Sequence, residues 1–290
     1  MSDENKSEGE NKSDDGENGG SENSNGGESK DAGKTEAKKE DSSISGRKIF
    51  FIYPTASVVN QVITELTQQE YEVYTVKDHV RMLRVLKTYS DAIIFINIDE
   101  GQPEAEWEKW VATINNTLPN VSIGILSGNS SDDLKEKYLN KLHASCGFTG
   151  LKVDMSKAPQ KILDTLGTMD AKGRRKYLRA SVERDTVATI NLPFNSDFIN
   201  GTVRDVSVVG VSCVFEHDPG LKKNTLLKDI QVRLQTMLLK VEGVIFGSRE
   251  ENGQNIYVLL FTQRIDPEVR VKIRKYIQQN LQARMDSEIG

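Results

Sequence analysis

The sequence predicts a multidomain chain: an α/β domain on a parallel five-stranded sheet, then a small antiparallel β-barrel with a C-terminal helix. Three observations predict it. From Arg47 to Asp170, short apolar runs alternate with amphipathic stretches, the pattern of strands buried on both faces between covering helices. From about Arg179 the period falls to two, punctuated by Gly210, Pro219-Gly220 and Glu251-Asn252-Gly253, as expected of short antiparallel strands joined by turns. The first 46 residues carry almost no apolar side chain and predict no fold at all.

Residues 1–46 are mainly Ser, Glu, Asn, Gly, Asp and Lys, with thirteen acidic against six basic residues. Such a stretch buries too little apolar surface to offset the entropy of ordering, so a disordered acidic tail is expected over 1–46. The net charge of the 290-residue chain is −5, so the remainder is slightly basic. That excess is too small for general nucleic-acid binding and compatible with one local anionic site. The N-terminus shows no basic-then-apolar leader, and no apolar run approaches eighteen residues, so a cytoplasmic protein without a membrane span is expected. Cys146 and Cys213 lie in separate segments, which fits a reducing compartment and no disulfide framework.

Within 47–170 the expected strands are Lys48–Tyr53, Tyr71–Val76, Asp91–Asn97, Val121–Ser127 and Cys146–Lys152. The expected helices are Val58–Thr67, His79–Tyr89, Trp107–Leu118, Asp132–Leu142 and Met155–Met169, with Val80, Leu83 and Leu86 inward on the second. Five strands alternating with helices point to the flavodoxin-like strand order 2-1-3-4-5. His79, His143 and His217 have no metal-ligand spacing, so no metal is expected. Trp107 and Trp110 read as helix core and partial surface. P-loop, GxGxxG and GxSxG strings are absent, and no nucleophile, base and orienter assemble. An enzyme is not expected.

In 171–290 the expected strands are Ser181–Asn191, Gly201–Phe215, Lys228–Gln235, Met237–Gly247 and Asn255–Thr262. Asp266-Pro267-Glu268 then opens a helix to about Ala283, with Val269, Ile273, Tyr276, Ile277 and Leu281 as its apolar stripe. Two strings here carry chemistry. Arg174-Arg175-Lys176-Tyr177-Leu178-Arg179 puts guanidinium forks on an arm between the two domains. Such forks match paired phosphate oxygens and the O6/N7 edge of guanine, and stack on purines. Asp205-Val206-Ser207-Val208-Val209-Gly210 puts a carboxylate and a hydroxyl on one strand face, followed by a glycine that admits a close approach by ligand or backbone. Asp205 suits guanine N1–H and N2–H₂, and Ser207 suits a base edge or a phosphate. A ligand that is both guanine and phosphate would use both strings.

RxxxR (Arg175, Arg179) followed by DxSxxG (Asp205, Ser207, Gly210) resembles the PilZ family of bacterial cyclic di-GMP receptors, from about Gly173 to the C-terminus. The resemblance implies a six-stranded barrel with a C-terminal helix and a ligand, cyclic di-GMP, gripped by Arg174, Arg175, Arg179, Asp205, Ser207 and Gly210. An arginine at position 174 implies a stacked pair of ligands rather than one. The expected mechanism is an arm, mobile without ligand, drawn across the barrel so that the domain angle is fixed and a protein partner is signalled. Motility, adhesion, virulence and transcription are the processes such a receptor serves. The rival reading within the family is an adaptor that has lost nucleotide and binds only protein.

The 47–170 domain resembles the receiver domain of response regulators, with Ser127 and Lys152 at that family's hydroxyl and lysine positions. It departs where phosphotransfer needs acids: Tyr53-Pro54-Thr55 replaces the Mg²⁺-holding acidic pair, and Asn97 stands at the phosphoacceptor position. Asp99 is the one substitute for a phosphorylation-driven regulator. The expectation is a receiver-like domain without phosphotransfer, kept as a surface for a protein partner or for dimerisation.

Overall fold

The computed structural model describes residues 42–152, 155–182, 185, 187–194, 197–262 and 265–290. The acidic tail expected over 1–46 lies outside them up to residue 41. Its last residues do not: Ser42–Ser45 forms one helical turn.

Apolar runs with no polar interruption make the first sheet. β1 (Ile49–Ile52), β2 (Val73–Val76), β3 (Ile93–Asn97), β4 (Ser122–Ser127) and β5 (Phe148–Gly150) pair in parallel in the order β2-β1-β3-β4-β5. Every residue of β1 and β3 is buried, because helices cover both faces: Val58–Ile63 continuing into Thr64–Gln68, then His79–Thr88, Glu104–Thr117, Asp132–Glu136 continuing into Lys137–Lys141, and Ala158–Thr168. Ile49 of β1 faces Val73 on one side and Ile93 on the other, and the Phe51 and Phe95 rings stack at 5.0 Å. The expected strand order is the observed one. One detail is corrected: Val80 is 65% exposed, and the second helix buries Met82, Val85 and Leu86. With Tyr89 these residues follow the i, i+3, i+4, i+7 stripe, which leaves Val80 on the outer side of the first turn.

Shorter alternating strands make the second sheet. β6 (Arg179–Ser181), β7 (Thr189–Phe194), β8 (Asp197–Ser207), β9 (Gly210–Phe215), β10 (Leu226–Leu234), β11 (Met237–Glu251) and β12 (Gln254–Phe261) follow in the chain. Among the described residues six of them close a ring, β8-β7-β10-β11-β12-β9 and back to β8, and β6 lies along the end of β8 that β7 leaves open. Two expected strands divide. Ser181–Asn191 is the end of β6 and the start of β7 with a turn between them, and three residues of that stretch lie outside those described. Gly201–Phe215 is a tight hairpin that reverses at Val208-Val209, with Ser207 paired to Gly210. Two valines carry no turn signal, and neither adopts a positive φ, so the reversal is invisible to composition.

Asp266 caps the C-terminal helix, Pro267–Ile289, by accepting from the Glu268 N–H. Ile273, Tyr276, Ile277, Leu281 and Met285 are its buried side. The helix also seals the edge of the first sheet. Gln278 Nε2 donates to the Val73 carbonyl. Gln282 accepts from the Thr75 N–H and donates to the Thr75 carbonyl, both at 2.9 Å. An open edge strand leaves a row of unpaired backbone groups, and two glutamines one turn apart stand in for the missing neighbour. From Ser42 on, the described residues belong to one compact unit.

Cys146 and Cys213 are free and buried, and burial pushes their thiols up to about 11 and about 12. Both therefore remain thiols at neutral pH rather than nucleophilic thiolates. Maleimide labelling at pH 7.5 is expected to be negligible in the native protein and to reach two thiols per chain after denaturation.

Candidate functional site

Alternation along β6 decides what the arm presents. Ala180 and Val182 point inward and are fully buried, whereas Arg179 and Ser181 are exposed. Antiparallel pairing then sets Arg179 opposite Ser207, Ala180 opposite Val206 and Ser181 opposite Asp205, and the Val182 N–H extends the ladder to the Arg204 carbonyl at 2.7 Å. Burial of Val182 alone contributes about 2 kcal/mol to holding the strand down. The end of RxxxR thus lies on the same strand pair as the start of DxSxxG.

The hairpin gives each motif residue a distinct environment. Asp205 is half-buried, and its Oδ2 accepts from Ser212 Oγ at 2.8 Å while Ser212 Oγ accepts from the Asp205 N–H at 3.1 Å. One carboxylate oxygen is held by Ser212. Ser207 is buried, and its hydroxyl donates to the Gly210 carbonyl at 3.1 Å, closing the turn. A Cβ on Gly210 would sit 2.2 Å from the Leu259 carbonyl oxygen and 3.1 Å from the Leu260 Cα. The close approach expected at this glycine is therefore made by the backbone of β12. Sequence reasoning missed Ser212. Its signal is the register of a two-residue hairpin, which puts position 212 opposite 205, and that register becomes legible only once the reversal at Val208-Val209 is recognised.

The arm, expected from the sequence to be mobile without ligand, is lined by hydrogen bonds to neighbouring segments. The N–H groups of Arg174 and Arg175 donate to the carbonyls of Ser43 and Ile44, both at 3.1 Å. At its root Gly173 lies against Gly46, and a Cβ on Gly173 would be 2.4 Å from the Gly46 nitrogen. Lys172 lies over the Tyr71 ring at 4.8 Å, and the Leu178 N–H donates to Glu70 Oε2 at 3.0 Å. The physical reason is that residues 42–46, read as tail, supply the carbonyls on which the arm lies. Arg174, Arg175 and Arg179 are all exposed.

At the C-terminal end of the first sheet the receiver-like positions are filled from within. Asn97 is fully buried, its amide donating to the Tyr53 carbonyl at 2.9 Å and accepting from the Asp99 N–H at 3.3 Å. Asp99 accepts from Ser127 Oγ at 2.6 Å and from the Gly128 N–H. Lys152 passes close by: its Cε and Asp99 Oδ2 each lie 3.2 Å from where a Gly128 Cβ would be. Tyr53, His79 and Trp107 pack with centroids 5.0 to 6.0 Å apart, Tyr53 being the first residue after β1. Among the described residues no three His, Cys, Asp or Glu side chains converge on a metal position, and no helix is long and apolar enough to cross a membrane.

No protein-family model matches this chain, and no curated protein does. The chain is similar in structure to PilZ domains and to receiver domains. One of the first kind is the PilZ domain of YcgR from Escherichia coli, solved with c-di-GMP: 16% identity, 40% of this chain, 95% of that one, TM-score 0.34. Another is the inhibitor of motility MotI/DgrA from Bacillus subtilis, at 16% identity over 39% of this chain and 52% of that one, TM-score 0.33. The match thus spans about half the length of MotI/DgrA. Of the second kind is the signal receiver domain of an HD domain-containing protein from Pseudomonas fluorescens Pf-5: 14% identity, 43% of this chain, 97% of that one, TM-score 0.36.

Replacing Gly210 with Ala forces its new methyl against β12 backbone, a contact that no side-chain rotation relieves. The expected loss is about 2 kcal/mol of folding stability, read as a lower urea midpoint with an unchanged slope.

Proposed function

We propose that this chain is a cyclic di-GMP receptor whose site lies on the outer wall of the barrel, between the arm and the β8–β9 hairpin. In this reading the chain divides at the arm into a receiver-like domain, 47–170, and a barrel domain, 171–290. Arg175 and Arg179 clamp phosphate and the O6/N7 edge of one guanine, and Asp205 accepts from the N1–H and N2–H₂ of another. Ser207 and Gly210 serve the same site by fixing the hairpin. The observation that carries the reading is the pairing of β6 with β8, which brings an exposed guanidinium and a half-buried carboxylate onto one strand face. Isolated guanidinium groups would suit any phosphate, and an isolated carboxylate any amine. Together they select a ligand that is guanine and phosphodiester at once.

The arm joins the two domains, so a ligand that pulls on Arg175 and Arg179 also pulls on the bonds from Arg174 and Arg175 to Ser43 and Ile44. Transmission to a protein partner through the receiver-like domain follows from that shared segment, by movement of a held arm rather than ordering of a loose one. A second reading, a protein-binding adaptor, is favoured by one observation. The Ser207 hydroxyl and the open side of Gly210 are both committed to the barrel's own backbone, so two members of DxSxxG have structural work without any ligand.

Calorimetric titration with cyclic di-GMP, against GTP and cyclic di-AMP, separates the two. The receptor reading expects cyclic di-GMP alone to bind tightly. It also expects Arg175→Ala, Arg179→Ala and Asp205→Ala each to weaken binding by about thirtyfold or more, equivalent to about 2 kcal/mol. If Arg174 supports a stacked pair, saturation comes near two ligands per chain; a value near one removes that assignment. Unchanged affinity in the three variants removes the site, and no binding at all leaves the adaptor.

A further inference from the structure

Glu70 belongs to neither motif and lies in the turn before β2, yet three parts of the chain meet at its side chain. Oε2 accepts from the backbone N–H of Leu178, the residue before Arg179, at 3.0 Å. Oε1 accepts from Arg274 of the C-terminal helix, at 2.8 Å from Nη2 and 3.3 Å from Nε. The carboxylate side chain is 11% exposed and that of Arg274 is 23% exposed. Each oxygen thus has its own donor, one in the arm and one in the helix. Glu70 itself stands at φ +63°, a left-handed backbone that residues with a Cβ adopt reluctantly. That backbone ends the preceding helix: the Glu70 N–H donates to the Thr67 carbonyl at 3.1 Å and the Tyr71 N–H to the Leu66 carbonyl at 3.0 Å.

The connections of these partners give the contact its consequence. Leu178 sits between Arg175 and Arg179, so its amide fixes the backbone from which both guanidinium groups project. Arg274 lies one turn ahead of Gln278 and two ahead of Gln282, the residues that seal β2. Two residues beyond Arg274, Tyr276 donates its hydroxyl proton to Asp185 at 2.7 Å, just past β6. The arm is therefore gripped from both sides by elements that Glu70 ties together. Carboxylates bonded to a guanidinium and to a backbone amide make some of the stronger contacts available to a protein. Removing this one strands a partly buried guanidinium and an amide together.

We infer that Glu70 is a positioning residue for the ligand site: from the receiver-like part of the chain it sets the course of the arm that carries Arg175 and Arg179. The inference rests on the cyclic di-GMP reading. By linkage, if the Glu70 contact favours the binding geometry, bound ligand strengthens the Glu70 contact by the same factor. Ligand and interdomain docking are then reciprocal, and Glu70 is one contact through which the middle part of the chain senses the site.

The test uses the full chain and cyclic di-GMP itself. Glu70→Ala is expected to weaken binding about tenfold. Glu70→Gln, which keeps one acceptor for the Leu178 amide but sets its NH₂ against Arg274, is expected to recover part of that loss, a partial rescue that a general loss of packing would not give. In the wild-type chain, saturating cyclic di-GMP is expected to slow hydrogen exchange at the Leu178 amide at least fivefold. That measurement needs no variant and stands even if Glu70→Ala fails to fold. Affinity within twofold of wild type in Glu70→Ala, or Leu178 exchange that ignores the ligand, overturns the inference while the receptor reading survives. A wild-type chain that binds no cyclic di-GMP overturns both.

Discussion

β6 is three residues long, and its pairing with the end of β8 is what brings two distant strings onto one strand pair. Arg179 precedes Asp205 by the whole of β7 and most of β8 in the chain, and the ladder returns it to the position opposite Ser207. Ala180 and Val182 hold the strand by burying their side chains in the barrel, while Arg179 and Ser181 are exposed. Without this pairing the arginines would be a solvated basic run and Asp205 an unremarked carboxylate on a hairpin. With it they share one face, and their chemistries combine. A strand this short contributes only a few kcal/mol, the range in which local opening is accessible.

The held arm changes how a signal would travel. Its beginning lies on the carbonyls of Ser43 and Ile44, its middle on Glu70 and its end on β8. The C-terminal helix reaches across to stitch β2 with Gln278 and Gln282. A barrel and a parallel sheet that share both an arm and a helix do not swing freely. Any ligand-driven change works against specific bonds, each with a named donor and acceptor, and so has a defined energetic cost and direction. At the C-terminal end of the first sheet Asn97 is bonded to the Tyr53 carbonyl and Asp99 to Ser127.

Much of this fold was legible because its strands are pure examples of two periods. IFFI and IIFIN admit no reading but a buried strand, and their alternation with amphipathic stretches gave the order β2-β1-β3-β4-β5. Arg174, Arg175, Arg179, Asp205, Ser207 and Gly210 were expected as site residues from their chemistry, and of these the ladder sets Arg179 opposite Ser207, two residues from Asp205. What escaped is what depends on register and on distant backbone. A turn made of Val208 and Val209 hides the hairpin, and with it the partnership of Ser212 and Asp205. The pairing of the arm with Ser43 and Ile44 uses only backbone groups, which no residue type announces. Glu70 escaped because a lone glutamate in a turn looks like solvated surface until the fold brings Leu178 and Arg274 to it.

The most direct test of a single shared site is a crystal structure of the full chain with cyclic di-GMP. The account predicts one nucleotide in hydrogen-bonding contact, at about 3 Å, with both the Arg179 guanidinium and the Asp205 carboxylate, with β6 still paired to β8. A nucleotide bound elsewhere, or bound here with either side chain turned away into solvent, would contradict it.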